Sequence, residues 1–224
     1  SNKGDKQNFD DYNVSIDKSY SPLKLKWNKT GDSEKDNNIK QYAQSIVDSK
    51  KRFQKDFNLT SDEYNRLAEL SLGIAEQESE YGTTTRYNAK QFVPDALLSF
   101  LRRGSFDGVG VSRGMTQIKM DTDNKGLQNY YNKYGINKKS IESPRLASLA
   151  TMAKLAYIYN TEIKGRYFAN DQKQTIDPFD ALIYKYNGRN SQLRNKTATP
   201  DKNVYINNIK KYGKRFTKIG RAHV

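Results

Sequence analysis

The chain has 224 residues, a formal net charge of +14 and no cysteine. This length allows a sizeable core, and the absence of cysteine excludes disulfides and thiolate metal sites. No apolar run is long enough to cross a membrane and no signal peptide is visible, while the charge suits a polyanion such as nucleic acid, acidic lipid or a cell wall.

Three segments are expected along the chain. Residues 1–35 are polar with isolated aromatics, which predicts an N-terminal arm or linker. Residues 36–218 carry successive helical patterns and predict one folded domain. Residues 219–224 look foreign to the rest and predict a non-native tail. This tail holds the only histidine, His223, so we expect no histidine chemistry.

The predicted helices follow in chain order. The first has an apolar face formed by Ile39, Tyr42, Ala43, Ile46, Val47 and Phe53. Thr60 or Ser61 caps a second helix, which runs to about Glu80. Further helices are predicted at about 94–103 and 124–134, from 143, from 177 and around 205–216.

Glycines interrupt the pattern between residues 104 and 120. This stretch contains Gly104, Gly108, Gly110 and Gly114 between short apolar residues. Such spacing is typical of a loop or a small β-hairpin. The sequence therefore predicts a mainly α fold with at most a small β element.

The second predicted helix places one glutamate unusually. On a helical wheel Glu69, Glu76 and Glu80 fall on a polar side, as a solvated face should. Glu78 falls instead among Leu67, Ile74 and Ala75 on the apolar side. A carboxylate there is costly unless it is paired or protonated, and burial raises its pKa. Glu78 is thus either a structural residue with a core partner or a general acid.

Three segments then resemble a known family in order. They are GIAEQES at 73–79, SRGMTQI at 112–118 and the end of the helix at 181–188. The first resembles the catalytic Glu-Ser segment of lytic transglycosylases and goose-type lysozymes, in the lysozyme-like superfamily. The second resembles their Gly-Met-Gln loop, although Thr116 separates Met115 from Gln117. The third resembles their Ala-Tyr-Asn-Ala-Gly segment, one residue shorter.

The resemblance implies a lysozyme-like helical domain, with the glycine-rich segment lining a cleft. It implies cleavage of peptidoglycan between N-acetylmuramic acid and N-acetylglucosamine, with Glu78 as general acid and base. Gln117 is expected to bind an N-acetyl group or orient Glu78, and Tyr186 to reach the glutamate. The matched substrate-binding positions are Ser79, Ser112, Gly114, Met115, Gln117, Ile118, Tyr186 and Asn187.

A second carboxylate would decide the chemistry. Glycosidases generally use two carboxyl groups, whereas lytic transglycosylases use one and form a 1,6-anhydro product. Asp107 is the first candidate, because goose-type lysozymes place an aspartate at similar spacing, but an Asp-Gly turn explains it equally well. Asp95 and Asp121 are weaker candidates. The sequence leaves the product open.

Two other functions compete with this hypothesis. One is a non-catalytic wall-binding or structural module with a degenerate lysozyme-like fold. The other is a nucleic-acid binder, which only the charge suggests, since no helix-turn-helix or metal-finger spacing is present. The expected partners are peptidoglycan and the anionic wall surface, with no nucleic acid, metal or cofactor. We expect a monomer that is extracellular, periplasmic or carried on a phage virion.

Overall fold

A computed structural model describes residues 20–217 of the chain. This part is mainly helical, and its only β structure is two isolated antiparallel bridges. The predicted tail at 219–224 and residues 1–19 of the predicted arm lie outside the described residues. None of the described helices combines the length and apolar character needed to cross a membrane.

The helices follow the predicted order, with two additions. The sequence pattern does not predict the short helices α3 and α8. The described α-helices are α1 (Ser33–Phe57), α2 (Ser61–Ser79), α3 (Thr85–Gln91), α4 (Asp95–Arg103), α5 (Lys125–Lys133), α6 (Pro144–Ile158), α7 (Pro178–Tyr186), α8 (Asn190–Arg194) and α9 (Val204–Thr217).

The helical domain begins slightly earlier than predicted. Asp32 caps α1, because its side chain accepts a hydrogen bond from the Lys35 N–H at 3.0 Å. The described part of the arm lies against the far end of the chain. Lys26 N–H donates to the Phe216 carbonyl oxygen at 3.3 Å, and the Trp27 and Phe216 rings lie 5.7 Å apart. Lys26 and Trp27 therefore cover the end of α9.

Helix α2 is the central buried helix. A capping box fixes its start, since Thr60 and Glu63 each bond the other's backbone N–H. Helix α9 packs closely across it. A Cβ atom on Gly73 would lie 2.0 Å from the Ile209 carbonyl oxygen, and one on Gly213 would lie 2.1 Å from that of Glu69. Only glycine at these two positions allows the backbones to approach this closely.

The glycine-rich segment between α4 and α5 is a loop. An antiparallel bridge joins Arg113 to Ile118, with both backbone hydrogen bonds at 3.0 Å. At the turn between them Gly114 has φ +74°, and a Cβ atom there would lie 2.8 Å from the Ile141 carbonyl oxygen. The Arg113 guanidinium contacts Asp95 at 2.6 Å, which holds the loop against α4. The turn is thus fixed by protein contacts on its inner side.

Candidate active site

A cleft of about 650 Å³ opens where α2 ends. Glu78 reaches it from the last turn of α2, and Gln117 and Lys119 from the glycine-rich loop. Tyr186 and Asn187 line it from the end of α7. The structure therefore brings together residues from all three segments that carry the family resemblance.

The Glu78 carboxylate is partly buried and accepts a hydrogen bond from a tyrosine side chain. The Tyr205 hydroxyl, from the first turn of α9, donates to Glu78 Oε1. Burial raises the pKa of the Glu78 carboxyl, while the Tyr205 hydrogen bond and the positive charge of Lys90 offset part of that rise. Glu78 therefore has an environment that favours holding a proton.

Tyr205 is a site residue, although the sequence pattern predicts only that it belongs to the last helix. It reaches Glu78 because α9 lies directly on α2, at the crossing that Gly73 and Gly213 permit. Burial, and then the charge of Glu78, raise the pKa of the Tyr205 hydroxyl well above its ordinary value, so it remains a donor. The sequence signal for this contact is the presence of Gly73 and Gly213 within helical segments. A glycine inside a helix lowers its stability, so such a pair indicates close helix packing.

Ser79 and Met115 connect α2 to the loop. The buried Ser79 hydroxyl donates to the Met115 carbonyl oxygen at 2.6 Å and accepts from the Gly82 N–H at 2.8 Å. Both side chains are buried and neither lines the cleft. This geometry contradicts the prediction that Ser79 and Met115 bind substrate, because both contact the protein itself.

Gln117 belongs to a network centred on Lys90. The Lys90 ammonium donates to Gln117 Oε1 at 2.7 Å and to the Ser112 hydroxyl at 2.6 Å. Gln117 Nε2 in turn donates to the Gly114 carbonyl oxygen at 2.8 Å. Its backbone has φ +54°, a left-handed value that is uncommon outside glycine. The amide is held at both ends, with one N–H still able to face the cleft.

Lys90 is a cation that the sequence analysis does not single out. Burial, together with the nearby charges of Arg113, Arg86, Arg102 and Lys119, lowers the pKa of its ammonium to about 8. In the sequence it is a basic residue on a short segment, α3, which has no strong apolar periodicity. Its proximity to Glu78 arises only from the tertiary fold.

Tyr186 lines the cleft but does not supply the hydrogen bond expected of it. Tyr205 fills that role, while burial and the neighbouring Tyr205, Tyr42 and Glu78 raise the pKa of Tyr186 well above its ordinary value. The Lys154 ammonium lies 5.1 Å from the centre of the Tyr186 ring, a cation–π contact. Tyr186 thus forms a wall of the cleft.

Thr116, the residue that departs from the family's Met-Gln pair, is accommodated in the core. Its buried hydroxyl accepts from the Thr151 hydroxyl of α6 at 2.8 Å. This anchors the loop to α6 and leaves the next residue, Gln117, facing the cleft. The extra residue therefore does not remove the glutamine from the site.

Three other predicted site residues also lie behind the cleft wall. Ser112 contacts Lys90 and Gln117 rather than the cleft, and Ile118 is buried beside its bridge partner Arg113. Gly114 approaches the Ile141 backbone, so its lack of a side chain serves packing within the protein. The structure corrects their predicted substrate contact, because these residues shape and support the loop.

Asp107 does not line the cleft. Its exposed carboxylate pairs with Arg103 on α4 and accepts from the Val109 N–H at 2.9 Å. The Val109 N–H and the Arg103 guanidinium keep the pKa of Asp107 below its ordinary value. The weaker candidates Asp95 and Asp121 both contact Lys138, at 3.4 and 2.7 Å, and also lie outside the cleft lining.

Two other carboxylates line the cleft instead. Asp123 receives the Lys154 ammonium on Oδ1 at 3.0 Å and the Tyr131 hydroxyl on Oδ2 at 2.7 Å. Glu162 lies 3.5 Å from the Lys185 ammonium. Both are therefore paired with lysines, whereas Glu78 is bonded by a neutral hydroxyl.

Within residues 20–217 no three His, Cys, Asp or Glu side chains are grouped so as to hold a metal ion. No protein family, curated protein or solved structure matches this chain. What the chain does is therefore inferred from the residues of the cleft.

Proposed function

We propose that the chain cleaves peptidoglycan glycan strands between N-acetylmuramic acid and N-acetylglucosamine, with Glu78 as the catalytic acid. The observation that supports this most is the environment of Glu78. Its carboxyl group faces a cleft, its pKa is raised by burial, and its side-chain partner is the Tyr205 hydroxyl. A carboxyl group with a raised pKa keeps its proton to higher pH, and such a group can protonate a glycosidic oxygen.

We further propose that Glu78 acts first as acid and then as base. The protonated Glu78 donates its proton to the bridging oxygen as the bond from the muramic acid C1 to that oxygen breaks. The C6 hydroxyl of the same sugar then attacks C1, and its proton passes to the Glu78 carboxylate. No water is consumed, the acid is regenerated, and the product carries a 1,6-anhydro ring.

The pairing of the other cleft carboxylates favours this route over hydrolysis. Hydrolysis requires a second carboxyl group as nucleophile or as base for water. Both Asp123 oxygens already accept hydrogen bonds, from Lys154 and Tyr131. Glu162 is paired with Lys185, and Asp107 is directed at Arg103 outside the cleft. Glu78 is thus the carboxyl group best placed to transfer a proton.

Digestion of purified sacculi tests the proposal. The wild-type chain should release muropeptides whose masses correspond to anhydro-muramyl ends, and the Glu78→Gln variant should release them far more slowly. Reducing ends would overturn the single-carboxylate mechanism while keeping the substrate. Binding of sacculi with no release by the wild type would instead support the non-catalytic wall-binding module. Absence of both binding and release would reject a peptidoglycan function altogether.

A further inference from the structure

The cations of the cleft fall into two groups. Lys154 and Lys185 are each paired with a carboxylate, Asp123 at 3.0 Å and Glu162 at 3.5 Å. Lys119 lines the same cleft, and no carboxylate of residues 20–217 lies within ion-pair distance of its ammonium. The positive charge is therefore neutralised along one part of the cleft and left uncompensated in another.

Lys90 and Arg102 extend the uncompensated part. The Lys90 ammonium bonds two neutral oxygens, on Ser112 and Gln117, and the Arg102 guanidinium donates to the Gly110 carbonyl oxygen at 3.1 Å. Neither has a carboxylate partner in the described part of the chain. Of these three residues only Lys119 lines the cleft, while Lys90 contacts the cleft residue Gln117. We call Lys119, together with Lys90 and Arg102 beyond the cleft lining, the cationic end of the cleft.

Grouping these cations is unfavourable in the free protein. Burial lowers the pKa of Lys90 and of Lys119, and Arg102 lowers each of them further by like-charge repulsion. An anion bound between these residues would remove that repulsion. The cost of assembling them is thus recovered only when a negatively charged ligand is present.

We propose that the cationic end binds a carboxylate carried by the glycan beside the bond that is cleaved. This proposal rests on the proposed function. The location favours the substrate's own carboxylate, because Gln117, which Lys90 holds at 2.7 Å, lines the same cleft as Glu78. The lactyl group and peptide stem of muramic acid carry such carboxylates, whereas chitin-type oligosaccharides are neutral. Wall phosphate is the other source of the same anionic chemistry.

Binding measured in the inactive Glu78→Gln background tests the proposal separately from catalysis. Calorimetric titration would compare a muramic-acid-containing tetrasaccharide with free lactyl carboxylates against a neutral tetrasaccharide of N-acetylglucosamine. The chain should prefer the carboxylated sugar. Adding Arg102→Gln and Lys119→Gln should weaken binding of that sugar roughly tenfold or more, since its carboxylate loses charged hydrogen-bond donors. Affinity for the neutral sugar should remain unchanged.

The matched control removes two charges elsewhere. Lys51→Gln with Lys211→Gln changes exposed lysines on α1 and α9, with the same effect on net charge. If this pair weakens the carboxylated ligand as much as Arg102→Gln with Lys119→Gln does, the effect is one of overall charge and the proposal fails. The proposal also fails if the Glu78→Gln chain binds the carboxylated and the neutral tetrasaccharide with equal affinity.

Two sacculus preparations separate the sources of the anion. On sacculi stripped of wall phosphate, the Arg102→Gln and Lys119→Gln chain with Glu78 intact should still cleave more slowly than wild type. If it is slower only on phosphate-bearing sacculi, the cationic end binds wall phosphate instead. If the wild-type chain cleaves neither preparation, the proposed function fails and the carboxylate site fails with it.

Discussion

Two glutamates at the end of α2, Glu76 and Glu78, face two different pockets. Glu76 lines a pocket of about 410 Å³ beneath the arm, and Glu78 lines the cleft of about 650 Å³. The Glu76 carboxylate lies 2.8 Å from the Lys35 ammonium, and each side chain is only 15% exposed. Glu78 has the Tyr205 hydroxyl in the equivalent place.

This difference separates an ion-paired carboxylate from one that bonds a neutral hydroxyl. A lysine at hydrogen-bonding distance favours the charged form of a carboxylate, whereas burial beside a neutral hydroxyl favours the protonated form. The helical wheel places Glu76 on a solvated face, and this is wrong, because Lys35 and the arm cover it. The wheel distinguishes the two residues correctly only by the side of α2 that each occupies.

The largest expected effect comes from removing the two carboxylates in turn. Glu78→Gln should lower the rate of sacculus cleavage by roughly 10²- to 10⁴-fold, the usual contribution of a general acid. Glu76→Gln should leave the rate nearly unchanged but lower the free energy of unfolding by about 1–3 kcal/mol, because Lys35 loses its partner. Turbidity clearance of sacculi measures the cleavage rate, and urea unfolding measures the free energy of unfolding. Equal loss of activity in both variants would contradict the distinction.

The next effect concerns the crossing that brings Tyr205 to Glu78. Gly73→Ala should destabilise the chain by roughly 1–3 kcal/mol or more, since the new methyl group meets the Ile209 backbone at 2.0 Å. Gly126→Ala is the control, because its methyl group would meet the Tyr157 hydroxyl at the end of a movable side chain. Thermal unfolding compares them. A Gly73→Ala chain as stable as wild type would contradict the close packing of α2 and α9.

The helices, and the position of Glu78 on a different side of α2 from Glu76, could be predicted because both depend on local sequence. Apolar periodicity and caps such as Thr60 and Asp177 specify where helices start, and the same periodicity isolates Glu78 from its neighbours. The roles of Ser79 and Gly114 could not be predicted in this way. A serine or glycine at a motif position is compatible with a ligand contact or a backbone contact, and only the fold decides between them.

The surroundings of Glu78 could not be predicted, because they depend on how the helices pack in three dimensions. Tyr205 is 127 residues away in sequence, and an apolar helix face describes it equally well as a core residue. Lys90 belongs to a short helix without a clear pattern. Asp107 illustrates the opposite error, since its spacing suits a catalytic role but its side chain pairs with Arg103, four residues before it.

A smaller effect, visible mainly in the pH profile, is expected at Tyr205. In the proposed mechanism the acid form of Glu78 donates the proton, so activity should fall as pH rises through the raised pKa of Glu78. The Tyr205 hydrogen bond lowers that pKa. Tyr205→Phe should therefore move the descending limb of kcat/KM to higher pH, with roughly a tenfold lower rate at the optimum.

A control on the same helix distinguishes this effect from structural damage. Tyr212 lies on α9 but lines the pocket of Glu76, so Tyr212→Phe should leave the limb where it is. A slower Tyr205→Phe chain whose limb does not move would show that Tyr205 only supports the fold. The pH dependence thus compares the two pockets on the two sides of α2.

The smallest effects are expected at the carboxylates that hydrolysis would need. Asp107→Asn should leave both rate and product unchanged, because its side chain is exposed and contacts Arg103 and the Val109 N–H. Asp123→Asn should lower stability, since Lys154 loses its ion pair, yet anhydro ends should remain the product. Mass spectrometry of the muropeptides checks both variants. Loss of cleavage in a folded Asp123→Asn chain would assign it the second catalytic role. Glu78 and Asp123 would then be the acid and the base of a hydrolase, and the argument that the contacts of Asp123 with Lys154 and Tyr131 keep it out of catalysis would fail.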